Sequence, residues 1–348
     1  MKVAIITDQH FGARKNSKLF HDYFLKFYND VFFPELEKRG IDTIIDMGDT
    51  FDNRKGIDFA ALKWAKENYF DKLTSYSIHT IVGNHTAYFK NTNEVNAIDL
   101  LLKEYPNITC YSEATEVKFD KLKVLFVPWM NSDNEQKTLT KIAKSKAKMC
   151  MGHLELNGFT ATRGHVMMDG YKPDMFDSFA KVFSGHYHTR SNNGKIYYLG
   201  NPYEMFANDT GDKRGFHIFD TDTLETEEIR NPYRLFYTLY YDDNDHQTFD
   251  ARQYDNKIVK LLVKQKSSPK KFDKFVDKLY ASDVAELKIV ENFQEEINHD
   301  NIDIDSEDTI ALLNRYVEES ESNINKSCLL YTSPSPRDLS TSRMPSSA

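Results

Sequence analysis

The chain is poor in cysteine. Its 348 residues include only three, Cys110, Cys150 and Cys328, too few and too scattered for a disulfide framework. That excludes the small secreted scaffold class and fits a reducing compartment. Long apolar runs are also missing: no stretch approaches 18 apolar residues, so no membrane span is expected. The opening Met1-Lys2-Val3 runs straight into apolar sequence and leaves no room for a signal peptide. These absences point to the cytoplasm. Positive charge is short as well, with 45 Lys and Arg against 53 Asp and Glu and a formal net charge of -8. A protein coated in basic surface is therefore excluded. A nucleic-acid partner is not, because divalent cations offset carboxylates locally and a basic patch can coexist with a negative total. The 40% apolar and 28% charged composition is that of a soluble globular protein, long enough for one large core and a smaller unit.

What the chain has is one shape, repeated. Val3 to Ile6 form a short apolar run of strand type that ends in Asp8 and His10. Thr43 to Met47 leads into Gly48-Asp49, and Ile78 to Val82 leads into Gly83-Asn84-His85. Lys148 to Met151 leads into Gly152-His153, and Val182-Phe183 into Gly185-His186-Tyr187-His188. Five strand-like segments thus end in hard or borderline metal ligands. Five of the eleven histidines lie in them, whereas His21, His79, His165, His217, His246 and His299 have no comparable context. Oxygen and imidazole donors without thiolate suit Mn²⁺, Fe²⁺, Zn²⁺ or Mg²⁺. Asp49 ends a central strand and is the natural bridge. Asp8, His10 and His188 complete one ligand set, and Asn84, His153 and His186 the other. Two ions so held activate a water and neutralise charge on a phosphoryl oxygen. His85 should face the substrate and stabilise or protonate its oxygens. Asp52, three residues after Asp49, is placed to orient His85 or a water.

Around the motifs, residues 1–230 read as alternating strands and helices, with helices expected over 17–36, 57–72, 94–104 and 131–146. A hairpin is expected over 115–127, and 157–173 reads as a glycine-bearing loop. Residues 231–291 read as a smaller unit, residues 292–306 as a linker, and residues 307–327 as the start of an amphipathic helix that needs a partner. Residues 257–278 carry eight lysines against two aspartates, either a solvated face or a phosphate-backbone contact. From Cys328 to Ala348 the composition turns to Ser, Pro, Arg and Met without periodicity, as in a non-native tail.

Asp8-Gln9-His10, Gly48-Asp49, Gly83-Asn84-His85, Gly152-His153 and Gly185-His186-Tyr187-His188 together resemble the signatures of the calcineurin-like metallophosphoesterases. With Gly48-Asp49-Thr50-Phe51-Asp52, Gly200-Asn201-Pro202 and Lys213-Arg214-Gly215-Phe216, residues 1–327 are most similar to the SbcD-like nuclease subunits of double-strand-break repair complexes, the T-even bacteriophage branch included. The resemblance implies a four-layered α/β/β/α sandwich with a smaller α+β capping domain and a C-terminal helical segment that binds a partner. It implies two Mn²⁺, or Mg²⁺, with Asp8, His10, Asp49 and His188 on one ion and Asp49, Asn84, His153 and His186 on the other. His85 matches the catalytic histidine, with Asp52 beside it. It implies 3′-to-5′ exonuclease action on double-stranded DNA, endonuclease action on single strands, a homodimer, and a coiled-coil SbcC-like ATPase subunit, in the host cytoplasm for a phage-encoded member. The chain departs from the family at Thr86, where an acidic residue often follows Asn-His. Two other readings stand beside this one: a phosphoesterase of the same fold for small or protein phosphoesters, and a non-enzymatic DNA-end-binding subunit.

Overall fold

The computed structural model describes residues 1–243 and 249–291. The strands in chain order are β1 (Lys2–Ile6), β2 (Thr43–Asp46), β3 (Ser77–Ile81), β4 (Ala87–Phe89), β5 (Thr92–Asn96), β6 (Ile108–Tyr111), β7 (Thr115–Phe119), β8 (Leu122–Val127), β9 (Met149–His153), β10 (Thr160–Thr162), β11 (His165–Val166), β12 (Lys181–Gly185), β13 (Ser191–Asn192), β14 (Ile196–Tyr198), β15 (Gly215–Asp220), β16 (Thr226–Arg230), β17 (Phe236–Asp242), β18 (Ile258–Gln265) and β19 (Glu286–Val290). The helices are α1 (Lys18–Phe27), α2 (Phe33–Arg39), α3 (Phe59–Ala65), α4 (Ala97–Leu101), α5 (Glu135–Lys144) and α6 (Pro269–Tyr280).

Two six-stranded sheets carry the centre of the molecule, in the orders β16-β15-β1-β2-β3-β6 and β13-β14-β12-β9-β8-β7. Strand side chains alternate between faces, and here both faces are apolar. Val3, Ile5, Ile45 and Ile81 of the first sheet face Val124, Phe126, Met149, Met151 and Phe183 of the second across a shared core. Ala4, Ile6, Ile44 and Ile78 point the other way, into a core roofed by Phe20, Phe24, Phe27, Leu36 and Ala65 from α1, α2 and α3. Leu125, Val127, Cys150 and Val182 point outward under Ile142 of α5. The layers are therefore helix, sheet, sheet, helix, the four-layered sandwich that the sequence leads one to expect. The short apolar runs are strands buried on both faces, which is why they lack polar alternation.

α1 and α2 are joined by a π-helical turn, Tyr28–Phe32, that ends two residues before Pro34. Proline has no N–H for the preceding turn, and the wider turn accommodates it. The same turn aims Tyr28 into the core, where its hydroxyl donates to Gln9 Oε1 at 2.6 Å.

Two sequence expectations change. The helix expected over 94–104 is strand β5 followed by the five-residue α4. Asn96 decides this, because its side chain accepts from the Asp99 N–H at 2.9 Å and caps a helix that starts only at Ala97. The loop over 157–173 contains a small hairpin, β10 with β11.

A third sheet, β17-β18-β19, is parallel throughout. α6 covers one face, packing Phe272, Phe275, Val276 and Leu279 on Tyr241, Leu261 and Val263. Lys270, Lys271, Lys274 and Lys278 lie on its exposed side. Glu204 ties this sheet to the sandwich by accepting from the N–H groups of Leu235 and Phe236 at 2.7 and 2.9 Å. Cys110 and Cys150 are free thiols. Among the described residues no helix is long and apolar enough to cross a membrane. The linker, partner helix and tail expected over 292–348 lie outside the described residues.

Candidate metal centre

The parallel strands β1, β2 and β3 all end at one edge of the first sheet, and β9 and β12 end at the matching edge of the second. His153 closes β9 itself and the turns beyond the other strands supply the remaining candidate ligands, in the crevice position in which open α/β sheets bind their ligands. Asp8 N–H donates to Gly48 O, and His10 N–H to Asp49 O, each at 2.9 Å, locking the first two turns together. Asp8, His10, Asp49 and His186 have φ of 53, 49, 53 and 82°. Left-handed backbone is uncommon in residues other than glycine and gathers where function requires it.

Nearby glycines are required for close approach. A Cβ on Gly83 would sit 2.1 Å from Asp49 Oδ1, and one on Gly185 would sit 2.1 Å from Thr7 Oγ1 and 3.0 Å from Asp8 Oδ2.

Donor atoms converge in three groups, of which one, His10 with Asp52 and His85, shares His10 with the first of the two described next. Asp8, His10 and His188 bring one ligand atom each within 4.8 Å of one another, and so do Asp49, His153 and His186. In the first group the Nε2 atoms of His10 and His188 are 3.0 Å apart, and each is 4.0 Å from Asp8 Oδ1. In the second, Asp49 Oδ2 lies 3.0 Å from His153 Nε2. Asn84 Oδ1 lies 3.0 Å from both His153 Nε2 and His186 Nδ1.

The outer nitrogens are held as ligand histidines require. His153 Nδ1 is 2.9 Å from the Met47 carbonyl, which can only accept, so Nδ1 carries the proton and Nε2 offers its lone pair to the centre. His10 Nδ1 is 3.1 Å from Asp52 Oδ1. Asp52 therefore touches His10 through its carboxylate and reaches His85 through its backbone carbonyl, 2.6 Å from His85 Nδ1. His85 N–H donates to Asp49 Oδ1 at 2.8 Å. All nine residues singled out in the sequence meet here.

The electrostatics divide the set. Burial pushes the Asp49 carboxyl up, but His153 and His85 outweigh it and hold the group well below the usual carboxylate range. Burial alone would lower His153, and Asp49 reverses that, raising it to about 9. Burial, with His153 behind it, lowers His186 to about 3, and burial carries His188 well below the ordinary imidazole value. Burial raises Asp8. Among the described residues, Asp8 and Asp49 are buried with only imidazoles as ion-pair partners, so the site gathers carboxylates and ring nitrogens whose protons a divalent cation would replace. Oxygen and nitrogen donors without sulfur fit a hard or borderline divalent ion.

The roles of two supporting residues, Asp46 and Arg214, were not read from the sequence. Asp46 is buried and accepts from Gln9 Nε2 at 2.9 Å, Thr50 Oγ1 at 2.7 Å and Gly48 N–H at 3.1 Å. It thereby joins the residue between Asp8 and His10 to the turn that carries Asp49. Burial raises it to about 7 against those three donors. Arg214 is the second, with its side chain 3% exposed. It donates to Asp209 Oδ1 at 2.7 Å and Asp212 Oδ2 at 3.1 Å, and also bonds the His188 carbonyl and Asn201 Oδ1. Arg214→Met leaves Asp209 buried without its cation and frees the His188 backbone. The expected loss is about 3–5 kcal/mol of stability, read by urea unfolding. A loss below ~1 kcal/mol would show that the guanidinium only fills space.

Comparison with known proteins follows the same lines. A family model described as calcineurin-like phosphoesterase matches residues 1–190. The chain is 31% identical over 321 residues to "Exonuclease subunit 1" of Enterobacteria phage T4, a match covering 91% of this chain and 92% of that protein. A solved structure titled as a novel archaeal phosphodiesterase aligns over 66% of this chain and 100% of its own, at 15% identity and a TM-score of 0.35. A second aligns over 66% and 98%, at 9% identity and a TM-score of 0.40.

Proposed function

The chain belongs to the calcineurin-like phosphoesterases, and from that premise we propose that it is the two-metal nuclease subunit of a DNA recombination and repair complex. It hydrolyses phosphodiester bonds as a 3′-to-5′ exonuclease on duplex DNA and an endonuclease on single strands. It works as a homodimer with a coiled-coil SbcC-like ATPase subunit, in the bacterial host cytoplasm if phage-encoded. One observation carries the phosphodiester chemistry: two groups of buried donors meet beside Asp49. The likeness to a phage protein named as an exonuclease subunit, along nine-tenths of both chains, supports DNA as substrate and a complex as setting.

Asp8, His10, His188 and Asp49 would hold one ion, and Asp49, Asn84, His153 and His186 the other, Mn²⁺ or Mg²⁺. Two such ions supply Lewis acidity at the phosphoryl oxygens and a water acidic enough to attack at neutral pH. The chain's own groups do the rest. Met47 O and Asp52 hold the imidazoles of His153 and His10 in the ligating orientation. The His85 N–H fixes Asp49 Oδ1. The His85 ring, with Nδ1 on the Asp52 carbonyl, keeps Nε2 for proton transfer to the leaving oxygen. Residues 231–291 cap the site and lay the exposed lysines of α6 along the DNA backbone, and residues 307–327 begin the ATPase-binding element.

The test is cleavage of end-labelled single- and double-stranded DNA with Mn²⁺, Mg²⁺ or chelator, with and without the ATPase subunit. The expected result is a metal-dependent product ladder of 3′-to-5′ polarity that chelator abolishes. Intact DNA in every arm, with brisk turnover of bis(p-nitrophenyl) phosphate, would instead assign the centre to small phosphoesters.

A further inference from the structure

The hairpin β4–β5 follows the Asn84-His85 turn directly. Tyr88 and Phe89 on its first strand are 42% and 47% exposed, their rings edge to face at 4.8 Å. Lys90, next in the chain, is exposed as well. Large apolar rings held out in solvent side by side are unusual enough to need a reason.

The root of this hairpin is the opposite of its tip, being built from buried, fully bonded polar groups. Thr86 Oγ1 accepts from Gly83 N–H at 2.8 Å, and Thr86 O accepts from Ala97 N–H at 2.8 Å. Asn93 donates to the carbonyls of Trp129 and Ser112 at 2.9 and 3.2 Å and accepts from Asn131 at 3.0 Å. The aromatic pair is therefore presented on a stiff support. The Trp129 whose carbonyl anchors Asn93 also sets its ring 5.0 Å from the ring of His186, so the hairpin is fastened to a residue that lines the metal centre.

We propose that Tyr88 and Phe89 are a stacking platform for unpaired nucleobases next to the scissile phosphate, so that the strand engaged by the centre is single-stranded. The proposal rests on the DNA reading above and adds how the substrate is held. Every base offers a π face, so stacking on two rings is sequence-tolerant, as a nuclease without sequence preference requires. Lys90 supplies a cation for the neighbouring phosphate. Bases inside a duplex are already stacked and cannot offer their faces, so the platform favours ends whose strands have separated.

The experiment compares binding of a fluorescent single-stranded oligonucleotide and its fully abasic counterpart to the full chain, by anisotropy, with cleavage of the normal oligonucleotide run alongside. The unmodified protein is expected to bind the normal strand about tenfold or more tightly than the abasic one. Tyr88→Ala/Phe89→Ala should erase that difference, and Tyr88→Phe/Phe89→Tyr should keep it. Equal affinity of the unmodified protein for both strands would overturn the platform, as would a base preference that survives the alanine pair. A change in sedimentation of the alanine pair with the base preference intact would give the rings to a protein interface, and overturns it too. These failures leave cleavage standing. If the unmodified protein neither binds nor cleaves DNA, the nuclease reading fails, and this proposal with it.

Discussion

Asp49→Ala is expected to abolish phosphodiester cleavage, a loss on the order of 10⁴-fold or more, and to reduce bound metal from two ions per chain to at most one. The reason lies in what each donor group keeps. Without Asp49 the first retains Asp8 with His10 and His188, one carboxylate and two imidazoles. The second retains Asn84, His153 and His186, which are all neutral as ligands. Three neutral donors in a buried site do not offset a dication, so that ion is lost first. Asp49→Asn sharpens the point, because it keeps the shape and the oxygen that accepts from His85 N–H but removes the charge. It should fold like the parent and lose the same ion. Metal per chain by mass spectrometry and cleavage of labelled DNA are the measurements. Two retained ions in either variant would show that Asp49 does not bridge.

The same substitution has a pH signature in chelator. Asp49 and His153 form one buried pair, the carboxyl held low and the imidazole raised to about 9. The raised imidazole contributes stability that is whole below its unfolded value of about 6.5 and is lost as pH rises through about 9. The lowered carboxyl contributes stability that is present above its unfolded value of about 3.9 and is lost as pH falls through its depressed folded value. The stability gap between parent and Asp49→Ala should therefore be widest near pH 5–6 and narrow toward pH 9–10.

How much of this was legible in the sequence depended on whether a residue's partners were local. Asp8, His10, Asp49, Asn84, His153, His186 and His188 could be picked out because each follows an apolar run, and a run buried on both faces ends where its polar cargo begins. The same runs gave alternating strands and helices, and the layered sandwich was expected from the family resemblance that the motifs carry. Asp46 could not be picked out. It closes β2 with the same spacing as the apolar residues before it, and its three donors come from Gln9, Gly48 and Thr50, which nothing local ties together. Tyr28 reads as one more aromatic on a helix, and only the π turn ahead of Pro34 turns it toward Gln9. The helix expected over 94–104 was misplaced because Asn96 was counted as a helical residue when it is the cap. The Asp52 contact with His10 was missed because a carboxylate three residues from Asp49 looked like a neighbour of His85. In the folded chain its backbone serves His85 and its side chain serves His10.

That division of labour around His85 makes the second large effect specific. His85→Ala should lose cleavage by about 10²–10⁴-fold while keeping both ions. The residue has two separable roles. Its N–H, which alanine retains, donates to Asp49 Oδ1 and holds that carboxylate in place. Its ring stands outside the groups of Asp8 and Asp49, gathers instead with His10 and Asp52, and lies 4.9 Å from the His10 ring, edge to face. With Nδ1–H committed to the Asp52 carbonyl at 2.6 Å, Nε2 is the nitrogen left for the leaving oxygen, and it gives a proton there when the ring is in its imidazolium form. Truncation to alanine removes that donor and leaves the carboxylate anchored, so metal binding and turnover should come apart. A leaving group that needs no proton separates the roles further. The defect should be large on DNA, where an alkoxide departs, and much smaller on bis(p-nitrophenyl) phosphate, where a stabilised phenolate departs. Equal losses on both substrates would mean that the ring acts on the phosphoryl oxygens rather than on the leaving group. Loss of an ion in His85→Ala would mean that the imidazole is a ligand, and its catalytic assignment would have to be withdrawn.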